Sequence, residues 1–368
     1  MRIAYGIFGY GRGHATRAAA VLPELRKRHE LLILAGGDAY DTLWPTFPIH
    51  RIPTLGYVYR PGGKRSNWLT FRRNLWDALD ILLRGPTFRG VVEVIADFRP
   101  DVVIADAEPW THRAAQHLGI PRISFDHFGI LAYCKPPVPF GDRLRSRRDV
   151  MIYRMLMGRP QRVIVSSFYD APARRPGVVT IGPMLRDEVL RAQPRRGEYL
   201  LAYFNKGQHQ FTAQVEAALR MAGLPVLVYG TPRQGLDGRL DFRPLSNEPF
   251  VEDLSGCRAV ISTAGNQLVG EAVHLGKPML VMPEDCVEQR LNAAALERLG
   301  IGMRTTQAAF SAATIAEFLR REVEFIARVR GLRRDGRAEA LEAIERFLVD
   351  LAPASASRHA VELAAGRS

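Results

Sequence analysis

Short apolar runs alternate with helix-like stretches along almost the whole chain, and this alternation limits the fold more than any other feature. RIAYGIF comes first, HATRAAAVLPELRKR follows with helical periodicity, and HELLILAG is the next apolar run. RPDVVIAD, THRAAQHLG, IPRISFD and RPQRVIVSS continue the series. Apolar strands separated by helices form parallel sheets covered on both faces, because each parallel connection lays a helix on the sheet. Pro, Gly and charge then punctuate VVTIGPMLRDEVLRAQPRRGE, which marks a linker. Beyond it the pattern restarts with EYLLAYFN, QFTAQVEAALRMAG, LPVLVYG, RAVISTAG, NQLVGEAVHLG and KPMLVMP. The expected class is α/β, with one parallel-sheet domain over residues 1–185, a linker at 186–197 and a second domain over 198–335. An amphipathic helix at 336–352 is expected to pack back on the first domain, followed by a flexible tail at 353–368. Two such domains in series predict a cleft, with ligands beyond the carboxyl ends of the strands.

The 368 residues are 47% hydrophobic and 24% charged, a composition that supports two domains with their own cores. No apolar run reaches the length of a membrane span, and the N-terminus reads as a strand broken by glycines rather than as a signal peptide. Cys134, Cys257 and Cys286 lie far apart, with no metal-ligand spacing and no closed disulfide set, so a reducing cytoplasm is the expected location. The formal charge of +13 is concentrated in residues 1–190, which carry +11 against +2 for the remainder. A basic half can face nucleic acid, an anionic membrane or an acidic acceptor. No helix-turn-helix, zinc or RNA-recognition signature accompanies it, which argues against nucleic acid.

The first strand runs into FGYGRGHATR. Its glycines, Gly9, Gly11 and Gly13, miss the dinucleotide spacing, since His14 stands where the last glycine belongs. Asp38 also comes too late to be the ribose acid of an NAD or FAD site. The loop's other use is to let a substrate approach the backbone. His14 then stands at a helix N-terminus, where the dipole favours the neutral imidazole that can take a proton. Asp106, at the carboxyl end of DVVIAD, is placed to hold the other ring nitrogen. The competing reading is that His14 caps its own helix and Asp106 caps the next one, THRAAQHLG.

In the second half, the strand RAVIS ends in the small turn Thr263-Ala264-Gly265-Asn266, and a helix opens. Its free N–H groups and positive dipole end suit a diphosphate. Glu271, further along that helix, suits a ribose diol. Glu288 and Gln289, past the next strand, suit sugar hydroxyls, and Asn292 follows one turn later. Asn205 and Lys206, in NKGQH after the strand EYLLAYF, are further diphosphate contacts or a solvated loop.

This segment resembles the donor-binding signature of the GT-B glycosyltransferases, the UDP-glucuronosyltransferase and MurG-like group. TAGNQLVGE matches the family's small turn followed by a glutamate, and EQRLNA its later acid-Gln and Asn-Ala. GRGHATR resembles the first glycine loop and IADAEPW the strand bearing the orienting aspartate. The resemblance implies two Rossmann-like domains facing across a cleft, with His14 as base, Asp106 as its partner, Glu271 on the ribose and Glu288-Gln289 on the donor sugar. Thr263 stands where many members carry a histidine, which leaves the diphosphate to the N–H groups of Gly265, Asn266 and Gln267.

The expected activity is inverting, metal-independent transfer from a UDP- or TDP-sugar to a hydroxyl of a small natural-product-like acceptor. No bound cofactor is expected, and there is no Asp-x-Asp pair to hold a metal. Trp68, Phe71, Leu75, Trp76, Leu79 and Leu82 recur at helical spacing with Arg72, Arg73 and Arg84 among them. They can be a core-facing helix, a pocket for an aromatic acceptor, or a face resting peripherally on the inner anionic membrane to reach a lipid acceptor. The stripe is short and its tryptophans can be buried, which favours the small soluble acceptor. A sugar-nucleotide 2-epimerase on the same fold and a non-catalytic nucleic-acid binder are the rival readings.

Overall fold

The computed structural model describes residues 1–58, 66–205, 207–332 and 334–365. The chain forms two compact α/β units, one from Met1–Val58, Asn67–Met184 and the chain from Gly336 onward, the other built on Leu185–Asp335. Among the described residues no helix is long and apolar enough to cross a membrane. The three cysteines are all free thiols.

Seven strands make the sheet of the first unit: β1 (Arg2–Ile7), β2 (Glu30–Ala35), β3 (Ile49–Arg51), β4 (Val102–Asp106), β5 (Arg122–Asp126), β6 (Arg162–Ser166) and β7 (Val178–Ile181). Their order is β3-β2-β1-β4-β5-β6-β7, all parallel. The continuous apolar runs become central strands because helices cover both faces, as at Tyr5, which is paired with Ile33 and Ile104 and fully buried. The order reverses between β1 and β4, and there Ile7 pairs with Asp106. A crevice beyond the strand ends at such a reversal is where open sheets take ligands.

The last helix, Gly336–Ala365, belongs to this first unit. Ala340, Ala343, Ile344, Phe347, Leu348 and Leu351 share one core with Ile3, Tyr5 and Ile7. Polar ties reinforce it: Glu339 accepts the N–H of Gly182 at 3.1 Å, and Glu345 pairs with His29 at 3.2 Å. The helix continues through Pro353, where the sequence pattern points to a tail. The alanine-rich stretch that follows has high helix propensity.

The second unit holds β8 (Leu200–Tyr203), β9 (Val226–Tyr229), β10 (Gly235–Asp237), β11 (Leu240–Arg243), β12 (Ala259–Ser262), β13 (Met279–Val281) and β14 (Gly302–Arg304). Their order is β10-β11-β9-β8-β12-β13-β14, parallel except for the β10–β11 hairpin at one edge. The reversal here lies between β8 and β12. Residues 186–197, which read as a linker, include a short helix, Asp187–Arg191, within this unit.

The aromatic stretch of the first unit forms the helix Asn67–Leu83. Its periodicity is as expected, but its direction is not. Trp68 and Trp76 are 64% and 76% exposed, and Phe71 and Leu83 are exposed too, whereas Ile81 on the opposite side is buried. The two tryptophans, which the sequence allows to be buried, are thus exposed. The helix packs through its Ile81 side and presents the aromatic stripe outward.

Candidate active site

At the reversal of the first sheet, the loop after β1 is shaped by its glycines. Gly11 has φ +87°, and a Cβ on Gly9 would lie 2.2 Å from the Thr54 hydroxyl and 2.3 Å from the Gly36 carbonyl. Gly11 donates its N–H to the Asp38 carboxylate at 2.8 Å, and Asp38 returns its own N–H to the Gly9 carbonyl at 2.8 Å. Asp38 thus braces the loop with the carboxylate that a dinucleotide site would aim at a ribose.

The loop delivers the chain into the helix Arg12–Arg28, with Gly13 and His14 in its first turn. His14 Nδ1 lies 2.7 Å from Asp106 Oδ1, and Phe8 meets the ring edge-on at 5.2 Å. Asp106 is fully buried and is gripped by Arg17, whose Nε reaches Oδ2 and whose Nη2 reaches Oδ1, both at 2.8 Å. Arg17 Nη2 is also 2.9 Å from His14 Nδ1. Nδ1 cannot both donate to the carboxylate and accept from the guanidinium. The shorter, charge-assisted bond places its proton toward Asp106. That tautomer leaves the lone pair on Nε2, which no hydrogen bond engages among the described residues.

Burial pushes the Asp106 carboxyl up, but the charges of Arg17 and His14 and their hydrogen bonds outweigh it and hold the group below its usual range. Burial likewise opposes the charge of Arg17, and Asp106 more than restores it. The capping readings for this pair do not survive. The helix Arg12–Arg28 has Gly11 as its N-cap with no side-chain bond, and the helix Pro109–His117 is capped by Glu108. Glu108 accepts from the Trp110 and Thr111 N–H groups at 3.0 and 2.7 Å. Between Asp106 and Glu108, Ala107 adopts φ +50°, a left-handed turn that separates the two acids' roles. Burial drives Glu108 up to about 7 despite these bonds.

In the second unit, β12 ends in Thr263-Ala264-Gly265 and the helix Asn266–His274 follows. Gly265 is its N-cap, no side chain caps it, and a Cβ on Gly265 would meet nothing within 4 Å. Asn292, fully buried on the helix Val287–Leu299, donates to the Ala264 carbonyl at 2.9 Å and pins the turn. Gln289 on the same helix is buried and accepts the Glu284 N–H at 3.0 Å, while Glu288 beside it is half-buried. Gln210 bridges Asn205 at 2.8 Å and Glu284 at 2.6 Å, linking the loops after β8 and β13. Lys206 lies outside the described residues.

Glu271 is buried and already engaged. Arg186 binds both its oxygens at 2.9 Å, and Gln267 donates to Oε1 at 3.0 Å. A carboxylate has about four acceptor positions, so three bonds leave one on Oε2. Among the described residues no group of three or more His, Cys, Asp or Glu is arranged to hold a metal.

Each unit thus gathers polar groups at strand ends beside a reversal of strand order, where open sheets take ligands. Residues 1–322 match the model described as glycosyl transferase family 1. The chain belongs to that family. An uncharacterized glycosyltransferase of Methanosarcina mazei is 25% identical over 335 residues, covering 82% of this chain and 85% of the relative. Another from Methanosarcina acetivorans is 25% identical over 334 residues, with the same coverage. Among solved structures, the glycotransferase of kitacinnamycin superposes with a TM-score of 0.69 at 18% identity, over 94% of this chain and 99% of that one. The calicheamicin glycosyltransferase CalG4 gives 0.63 at 18% identity, over 95% and 98%. Glycosyltransferase VinC, solved in complex with dTDP, gives 0.61 at 16% identity, over 96% and 100%. The fold is GT-B.

Four residues of this glycosyltransferase's site region escape a reading of the sequence. Arg17 looks like any helix arginine, although its spacing of one turn from His14 is the signal that they share a face. Glu108 is overshadowed by Asp106. Arg186 and Glu284 sit in loops whose partners come from distant positions.

Proposed function

We propose that the glycosyltransferase carries out inverting, metal-independent transfer from a nucleotide-diphosphate sugar, UDP- or TDP-linked, to a hydroxyl of a small-molecule acceptor. The observation that carries this reading is the 2.7 Å contact of His14 Nδ1 with Asp106, which leaves Nε2 to take a proton. His14 removes the acceptor's hydroxyl proton as the oxygen attacks the anomeric carbon. The bond to the diphosphate breaks on the opposite face, and Asp106 steadies the imidazolium. The leaving diphosphate takes the N–H groups of Gly265, Asn266 and Gln267, where the helix N-terminus meets the developing charge. Thr263 and Asn205 border that anion in this reading. Glu271 offers its remaining lone pair to a ribose hydroxyl, and Gln289 with Glu288 serves the sugar.

The test is a thermal-shift panel of UDP, TDP, GDP, ADP and NAD, followed by product analysis with the sugar nucleotide of the stabilising base and a set of hydroxylated acceptors. A nucleoside diphosphate that raises the melting point, and a product of inverted anomeric configuration, are expected. Stabilisation by NAD alone, or conversion of the sugar nucleotide without an acceptor as an epimerase would give, overturns it. The outward-facing Trp68 and Trp76 favour a second reading, in which the acceptor hydroxyl belongs to a lipid.

A further inference from the structure

The exposed stripe of the helix Asn67–Leu83 has a counterpart on a second helix of the same unit, Arg143–Met157. In that helix Ser146, Tyr153 and Met157 are buried, so the opposite side looks outward. That side carries Leu144, Arg148, Met151 and Met155, spaced four, three and four residues apart, with Leu144 78% and Met151 63% exposed. On the first helix Trp68, Arg72, Trp76 and Leu83 form the matching row. The two helices pack against each other and both pack against the helix Pro109–His117. Both rows therefore lie on the exposed sides of two neighbouring helices.

Each row is apolar with arginine inside it, and more arginine flanks it. Residues 67–84 and 140–159 hold nine arginines against four aspartates. Two of those aspartates are already committed: Asp149 to Arg148 at 2.8 Å, and Asp80 to the Phe88 N–H at 2.7 Å. Water-facing Trp, Leu and Met cost free energy in a monomer, so the face needs a covering. A small acceptor does not fit it, because the outer sides of two neighbouring helices are convex. A second copy docking symmetrically would bring arginine against arginine. A bilayer with anionic headgroups satisfies both parts, since tryptophan sits at the headgroup level and arginine meets phosphate above it.

We infer that this two-helix face docks the glycosyltransferase on an anionic membrane surface, with Trp68, Trp76, Leu144 and Met151 entering the interface and Arg72 and Arg147 binding lipid phosphates. Docking stands on these two helices alone and holds whether or not the acceptor is a lipid. Neither helix carries His14, Asp106 or a donor-site residue.

The test is co-sedimentation of the full chain with phosphatidylcholine vesicles, with and without phosphatidylglycerol, at physiological ionic strength. The wild type binds the phosphatidylglycerol vesicles and releases from them as salt is raised. Trp76→Ser with Met151→Ser weakens binding by about tenfold or more. Arg72→Ser with Arg147→Ser weakens it by about fivefold for each arginine. All four side chains are exposed, so the melting point of both variants stays at the wild-type value. Failure to bind phosphatidylglycerol vesicles, or equal binding by wild type and both variants, overturns the inference. So does a concentration-dependent dimer of the wild type that the same substitutions dissociate, which would give the face to a second copy.

Discussion

Arg17 holds Asp106 by both carboxylate oxygens while His14 donates to one of them, so a single buried carboxylate serves a guanidinium and an imidazole at once. The arginine keeps Asp106 ionised in a fully buried position and fixes its plane. The plane in turn fixes the ring of His14. Asp106 is therefore less free to follow an imidazolium than a carboxylate with a single partner.

His14→Ala removes the group with the bare Nε2. Turnover should fall by about 10²–10⁴, while the nucleotide-induced rise in melting point stays as in the wild type. Steady-state rates beside thermal shifts check this, and unchanged turnover would remove His14 from the chemistry.

Arg17→Leu leaves the buried Asp106 carboxylate with the His14 imidazole and without its guanidinium. Breaking a buried pair in this way costs on the order of 3–5 kcal/mol, which urea unfolding would register. Asp106 also gives stability an acid limb. Its folded pKa is depressed, so its contribution is complete above the ordinary value of about 3.9 and is lost as pH falls through the lower folded value. Asp106→Asn should flatten that part of the stability curve.

Glu108 acts in the opposite sense. Its pKa is raised to about 7, so the folded state holds a proton that the unfolded state has released. Stability should decline as pH rises from the ordinary carboxylate range to about 7 and level off above it, by on the order of 3 kcal/mol. In Glu108→Gln, unfolding followed across this interval should lose that decline.

Glu271→Ala should raise KM for the sugar nucleotide by about 10-fold or more, the loss of one charged hydrogen bond, with a smaller change in kcat. Asn292→Leu removes the tie to the Ala264 carbonyl and leaves that buried oxygen unsatisfied, at a cost of about 1–3 kcal/mol. A nucleotide response unchanged in both variants would move the donor site away from the turn after β12.

The fold class is legible because parallel strands buried on both faces read as continuous apolar runs, as ELLILA and VVIAD do. His14 and Asp106 can be paired in advance because His14 opens the helix that follows β1 and Asp106 ends β4, its neighbour in the sheet. Arg17 and Arg186 cannot, since a guanidinium's role depends on which carboxylate the tertiary fold brings to it. The aromatic helix shows a second limit. Periodicity reveals that Trp68 and Trp76 share a side, but whether that side faces core or water is set by the neighbours, and Ile81 with its surroundings claims the core here. The orientation of a stripe is a property of the packed molecule.

The helix from Gly336 onward completes the core that the strand at Arg2 begins. During synthesis the whole of the second unit is made before Ile344 and Phe347 exist to cover the helices and strands of the first. The unit begun earliest on the ribosome is thus the one finished last, with the apolar side around Ile3 and Val21 uncovered through the whole of the other's translation. A chain cut at Met184 would keep that face open permanently, so the two units cannot be separated by dividing the sequence at one point.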